Sequence, residues 1–268
     1  MFSTDQKILV NCSGNRFDLL REHAIRMACL LKRGLCLFYY QRNFSAVEYR
    51  EINRQLQQYK QEIGDKIPQL PVSSLILKGK FSSLEESLTK TYQCILLITS
   101  REESAEIRKA LHELRFPVMF LGEREKHQTG YKKVLIPVDR TPKNKESAPW
   151  GSYLARFNQS EITLLVAREK NKLNREEVQK NLHAINRLFG QFSFPHKTKN
   201  AKANSWKLHH EILERIRNLE TDLLIFMASR SVNLLDRIIG IPEDQIILNA
   251  TVPVICLNPN RSYYLLCE

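Results

Sequence analysis

The chain has 268 residues, enough for one large domain or two of ordinary size, and its 43% hydrophobic content is enough for well-packed cores. It has no apolar run of membrane-spanning length, and residues 1–14 lack a signal-peptide layout, so a soluble, cytoplasmic protein without a membrane partner is expected. A net charge of +12 permits contact with nucleic acid or a membrane surface but does not require it.

Residues 7–12 (KILVNC) form the first predicted strand. Asn15 is placed to cap the helix that follows, whose apolar positions are Leu20, Ala24, Met27, Ala28 and Leu31. A strand over 35–40 leads to a long helix over 45–65, with Ile52, Leu56, Tyr59 and Ile63 in one stripe. After a loop marked by Pro68 and Pro71 come a strand over 74–78, a helix over 82–92, a buried strand over 94–99, a helix over 105–114 and a strand over 117–121. Residues 123–131 (EREKHQTGY) are polar and lack apolar periodicity, and are read as a linker.

The pattern then restarts. KVLIPV over 133–138 repeats 7–12, followed by a helix over 146–157 and a strand over 162–167. A long helix over 174–192 carries Val178, Leu182, Ile185, Phe189 and Phe192 in register. The lysine-rich stretch 196–203 is an edge strand, and 206–219 is a helix. The segment 221–257 closes the unit with a buried strand over 222–227, a loop, a short helix over 242–249 and a second buried strand over 252–257. Alternation of strand and helix argues for parallel sheets with helices on both faces. Ile95-Leu96-Leu97-Ile98-Thr99 aligns with Leu223-Leu224-Ile225-Phe226-Met227, and Phe116-Pro117-Val118 with Val252-Pro253-Val254. Two domains are therefore expected, over 1–124 and 131–260.

The closing segment resembles the end of a universal stress protein domain, whose nucleotide-binding members carry G-x2-G-x9-G-[ST] between the last two strands. Here the two leading glycine positions read Ala228 and Ser231, Gly240 falls one residue early counted from Ser231, and Ile241 stands where Ser or Thr belongs. The resemblance covers nearly the whole chain, by pattern more than identity in the first half. It implies two tandem, doubly wound, parallel five-stranded sheets of strand order 3-2-1-4-5, related by a pseudo-twofold through the last strands. In the second half, Pro137-Val138-Asp139 is similar to the motif at the family's adenine and ribose edge, and Ala167 falls where the adenine pocket is lined. With Met227, Ala228, Arg230, Ser231, Gly240 and Ile241 these form the candidate site. Equally open are a turn-capping role for Asp139 and simple core packing for Ala167.

The phosphate chemistry is eroded. Replacing glycine at Ala228 and Ser231 narrows the backbone conformations open to the loop. Pro242 removes a donor from the helix start, and Glu243 and Asp244 place negative charge where a phosphate would sit. Arg230 and Arg237 are the available cations. In the first half, 22 positions separate Ile95 from Pro117 against 30 between Leu223 and Pro253, so the loop is about eight residues short. It reads Ser100-Arg101-Glu102-Glu103, without glycine, and the first strand ends at Cys12-Ser13 rather than at an Asp. The first half is read as structural. No cofactor is expected, and ATP or AMP would bind only at low affinity.

No G-x-S-x-G, H-E-x-x-H or P-loop occurs, and a helix points the adjacent His209 and His210 in different directions, so neither an enzyme nor a metal site is expected. Slow ATP hydrolysis is the turnover the resemblance would allow. Of the six cysteines (Cys12, Cys29, Cys36, Cys94, Cys256 and Cys267) none forms a C-x-x-C pair, and buried free thiols are expected. The expected function is a non-catalytic stress-response or regulatory protein acting on an unidentified protein partner. An adenine-nucleotide sensor working through the second half is one alternative. A basic adaptor for nucleic acid is the other, argued against by the absence of aromatic residues in the run 196–202. An intramolecular pseudo-dimer of the halves and a homodimer of the whole chain are both compatible with this reading.

Overall fold

The computed structural model describes residues 2–125, 127–218, 221–228 and 242–258. The chain divides into two compact units, Met1–Thr129 and Gly130–Glu268. In the first, β1 (Ser3–Asn11), α1 (Phe17–Leu31), β2 (Arg33–Gln41), α2 (Ala46–Lys66), β3 (Val72–Lys78), α3 (Phe81–Glu86), β4 (Cys94–Ser100), α4 (Ala105–Ala110) and β5 (Val118–Leu121) follow in order. Its strands are parallel and lie in the order β3-β2-β1-β4-β5.

The second unit contains β6 (Lys133–Val138), α5 (Ala148–Asn158), β7 (Glu161–Val166), α6 (Lys172–Gln191), β8 (His196–Asn200), α7 (Leu208–Arg217), β9 (Leu223–Met227), α8 (Pro242–Asn249) and β10 (Val254–Leu257). Its parallel strands run β8-β7-β6-β9-β10. Each unit is thus a doubly wound α/β sheet with strand order 3-2-1-4-5. The order reverses between its first and fourth strands, where open α/β sheets form their ligand crevice.

Local chemistry accounts for most element boundaries. The Ser45 hydroxyl accepts from the Glu48 amide and the Glu48 carboxylate accepts from the Ser45 amide, a reciprocal cap that starts α2. Ile52, Leu56 and Ile63 are buried, and the Tyr59 ring stacks on Phe17 at 4.1 Å. Asn171 caps α6, and Val178, Ile185 and Phe189 are buried along it. Phe192 leaves that stripe: it follows the last helical turn and is 42% exposed. Asn15 does not cap α1; its amide donates to Glu103 Oε1 at 3.1 Å, and Arg16 holds the cap position without a side-chain bond. The helix expected over 82–92 is α only to Glu86 and continues as a π turn, Ser87–Thr91. The short α4 ends at Ala110, four residues before the expected stop.

Two sequence expectations are corrected. The stretch read as a linker contains Glu125 and Tyr131, both fully buried. Glu125 forms a bidentate ion pair with buried Arg101, at 2.8 and 3.2 Å, and accepts from the Gly122 amide at 2.9 Å. The backbone carbonyl of Tyr131 accepts from Ser160 Oγ and Asn158 Nδ2. Polarity along the chain hid these partners, because they lie elsewhere in sequence.

The alignment of the two fourth strands also shifts by one. The Leu97 amide donates to Pro117 and the Leu224 amide to Pro253, both at 3.0 Å, so Leu97 rather than Leu96 is the counterpart of Leu224. Arg101 and Ala228 are then equivalent, donating to Leu121 and Leu257 at 2.7 and 2.9 Å. Similar apolar runs conceal such a slip, yet a one-residue shift reverses which side chains face each way.

Candidate functional site

Of the ten predicted site residues, Arg230, Ser231, Gly240 and Ile241 lie outside the described residues, as does Arg237. The other six lie at the carboxyl edge of the second unit. Val138 pairs with Val166, and the Ala167 amide donates to the Val138 carbonyl at 2.9 Å, so Asp139 and Ala167 emerge side by side. Met227 ends β9, on the other side of β6, and Ala228 follows it. All six are buried except Asp139, which is half-buried.

Pro137 shapes this edge. The β6–β9 register covers Val134↔Leu223 and Leu135↔Leu224 and goes no further. Alternate residues of a parallel strand serve alternate neighbours, and the Asp222 amide donates to the Lys133 carbonyl, so odd-numbered residues of β6 face β9. Pro137 is the next of these and has no N–H to give. Its carbonyl accepts instead from Asn144 Nδ2 at 3.1 Å. Asn144 and Ser147, both buried, belong to a 3-10 turn that packs against β9.

Asp139 is committed locally. Its Oδ1 accepts from the Thr141 amide at 2.7 Å, and Asn181 Nδ2 donates to the carbonyls of Asp139 and Thr141, both at 2.9 Å. Burial raises its carboxyl pKa, the bonds from Thr141 oppose the rise, and the Glu243 carboxylate adds to it. Glu243, buried in the first turn of α8, also helps hold the Cys256 thiol in its protonated form, after burial itself. Two carboxylates at this edge disfavour an incoming phosphate.

The first unit fills the equivalent positions. Its β1–β4 ladder continues to Val10↔Ile98, and beyond it Asn11 Nδ2 donates to Thr99 Oγ1 at 3.1 Å across the switch point, both groups buried. Ser13 stands where Asp139 stands, and its hydroxyl accepts from the Tyr40 amide at 2.7 Å. Tyr40 occupies the place of Ala167, with its ring 5.5 Å from Phe38 and 5.2 Å from Phe81. Its hydroxyl pKa is pushed up to about 12, chiefly by burial. The Glu103 carboxylate lies over Gly14, where a Cβ would collide with it. Arg101, paired with Glu125, replaces the small Ala228.

The loop 100–103 reads in the sequence as one whose carboxylates repel a phosphate, and Glu103 is one of them; sequence reading missed Tyr40 and Arg101. The signal for Tyr40 was an aromatic residue two places after Phe38, opposite an alanine in the repeat. Arg101 needed the register and its partner.

Among the described residues no cluster of three or more His, Cys, Asp or Glu could hold a metal. The rings of His209 and His210, expected to diverge, stand 4.0 Å apart. Cys12, Cys36, Cys94 and Cys256 are buried free thiols and Cys29 is half-buried. No helix among the described residues is long and apolar enough to cross a membrane.

No protein-family model matches the chain, and no curated protein matches it in sequence. Solved structures do. A universal stress protein from Archaeoglobus fulgidus DSM 4304 superposes with a TM-score of 0.67 at 11% identity, covering 96% of this chain and 97% of the other. A functionally unknown protein from Pseudomonas aeruginosa PAO1 gives 0.63 at 13% identity, covering 95% and 93%. The chain therefore has the tandem universal stress protein fold over nearly its whole length.

Proposed function

We propose that this chain is a non-catalytic regulatory protein of the universal stress type, built from domains over 1–124 and 131–260, whose nucleotide sites are degenerate. The observation that carries this reading is the filling of the crevice in the first unit. Asn11 and Thr99 bridge it, Tyr40 occupies the base position and Glu103 covers the loop at its mouth. In the second unit the six described candidates, Pro137, Val138, Asp139, Ala167, Met227 and Ala228, form a vestige of the same crevice. Its carboxylates, Asp139 and Glu243, oppose an anion. Arg230, Ser231, Gly240 and Ile241 complete the proposed loop.

Regulation would pass through surface contacts with a protein partner in the cytoplasm.

A second reading, an adenine-nucleotide sensor, draws support from one observation. Ala167 is small where Tyr40 fills the first unit, leaving the second base position unblocked by an aromatic ring. A thermal-shift screen with ATP, ADP and AMP separates the readings. No shift at about a hundredfold the micromolar range supports degeneracy, whereas a rise of several degrees with any of them favours the sensor.

A further inference from the structure

The loops that follow β6, β7 and β8 leave the second unit at one edge and are tied to one another. The Arg168 amide donates to the Ala203 carbonyl at 2.8 Å, and the Arg140 amide to Ser205 Oγ at 3.2 Å. The Ser205 amide donates to Glu169 Oε1 at 2.9 Å, and Arg140 Nη1 to Asn174 Oδ1 at 3.3 Å, which brings in the start of α6. The rim so formed presents Arg140, Arg168, Lys170, Lys172, Lys202 and Lys207, all exposed. None of the six is in direct ion-pair contact among the described residues, and Arg140 interacts electrostatically with the carboxylates of Asp139 and Glu169.

The acidic groups beside these cations are held by backbone donors. Asp139 accepts from the Thr141 amide, Glu169 from that of Ser205, and Glu211 from those of Lys202 and Ala203. Positive charge therefore projects while negative charge is bound to backbone. Trp206 follows Ser205 directly and is 46% exposed, in contrast to Trp150 at 1%. The lysine run of β8 has no aromatic of its own, but the fold sets this indole beside the cations that continue it.

We propose that this rim binds single-stranded nucleic acid, with the cations on the phosphates and Trp206 stacked on a base. Counterion release drives the first contact and is insensitive to sequence. Stacking on an exposed indole distinguishes a base from a plain polyanion. A membrane-surface site takes a helix with a free apolar face; α6, which starts at this rim, buries its stripe of Val178, Ile185 and Phe189 and exposes a single apolar residue, Leu173, in its first turn.

The test is fluorescence anisotropy of labelled oligo(U) and oligo(dT), about twelve nucleotides long, titrated with the full chain from about 50 to about 200 mM salt. Binding is expected to weaken at least tenfold over that range, with quenching of the exposed tryptophan. Trp206→Ala is expected to lose about fivefold or more, and Trp206→Phe, which keeps a ring, to stay within about threefold of the native chain. Lys170→Glu with Lys172→Glu is expected to lose more than tenfold. Lys60→Glu with Lys66→Glu, exposed on α2 of the first unit, is expected to change binding less than twofold. Absence of binding at the lowest salt overturns the proposal. So does binding that Trp206→Ala leaves unchanged, and so does equal or tighter binding of poly-glutamate or of phosphatidylserine vesicles.

Discussion

Among single residues, His23 carries the clearest consequence. It is fully buried, and its Nε2–H donates to the Glu125 carbonyl at 2.7 Å. Burial lowers its pKa, which the Glu125 carbonyl and the Glu22 carboxylate oppose and His127 reinforces. The unfolded chain thus takes up a proton near pH 6.5 that the native chain refuses. Stability is fully present above that value and declines as pH falls through it. His209, also lowered by burial, acts in the same sense, while the raised carboxyls of Asp139 and Asp222 act oppositely at lower pH. Urea midpoints are expected to fall between about pH 7.5 and 5.5, and His23→Gln is expected to flatten part of that slope; an unaltered slope would assign the titration elsewhere. For Asp139, the neutral isostere keeps the bond from Thr141 and removes a charge that burial and Glu243 disfavour. Asp139→Asn is therefore expected to match or exceed native stability at pH 7, an advantage that shrinks on acidification as the native carboxyl protonates. A marked loss at pH 7 would mean that the charged form is needed.

At the scale of elements, α5 and β6 show how tight packing overrides propensity. A Cβ on Gly151 would lie 2.6 Å from Ile136 Cδ1 and 3.1 Å from Phe189 Cζ. Gly151→Ala gains about 1 kcal/mol of helix propensity but overpacks a core contact, at a cost of about 1–3 kcal/mol. Net destabilisation in denaturant unfolding is expected, and stabilisation would show that the helix shifts freely. Helices and strands with strong apolar periodicity, α2, α6, β4 and β9 among them, were legible in the sequence, because burial of one face sets their spacing. The buried polar contacts were not. Arg101 and Glu125 sit in stretches that look like solvated loops, and only their pairing across the fold makes burial tolerable. Breaking that pair with Arg101→Met should cost about 3–5 kcal/mol in equilibrium unfolding, with recovery when Glu125 is replaced by Leu in the same chain. If the double variant is no better than the single, the bidentate pair is not what holds the turn at 122–125.

Across the whole molecule, duplication was readable because both units repeat KILVNC-like and LLIFM-like strands in one order. The difference between their carboxyl edges was only half readable. Loss of glycine and the shortened loop were evident in the residues, although the register makes the shortening nine positions (Leu97 to Pro117 against Leu224 to Pro253) rather than eight. How the first crevice is filled required coordinates, because Tyr40, Thr99 and Glu103 converge from three different segments. Both units keep the reversal of strand order that makes a crevice, and the proposed degeneracy rests on what lines it: Asn11, Thr99 and Tyr40 in the first unit, Asp139 and Glu243 in the second. Isothermal titration of ATP into the full chain tests this most directly. A dissociation constant of about 1 mM or weaker, equivalent to about −4 kcal/mol, is expected; a micromolar value, or nucleotide retained through purification, would mean that the second crevice is a working nucleotide site.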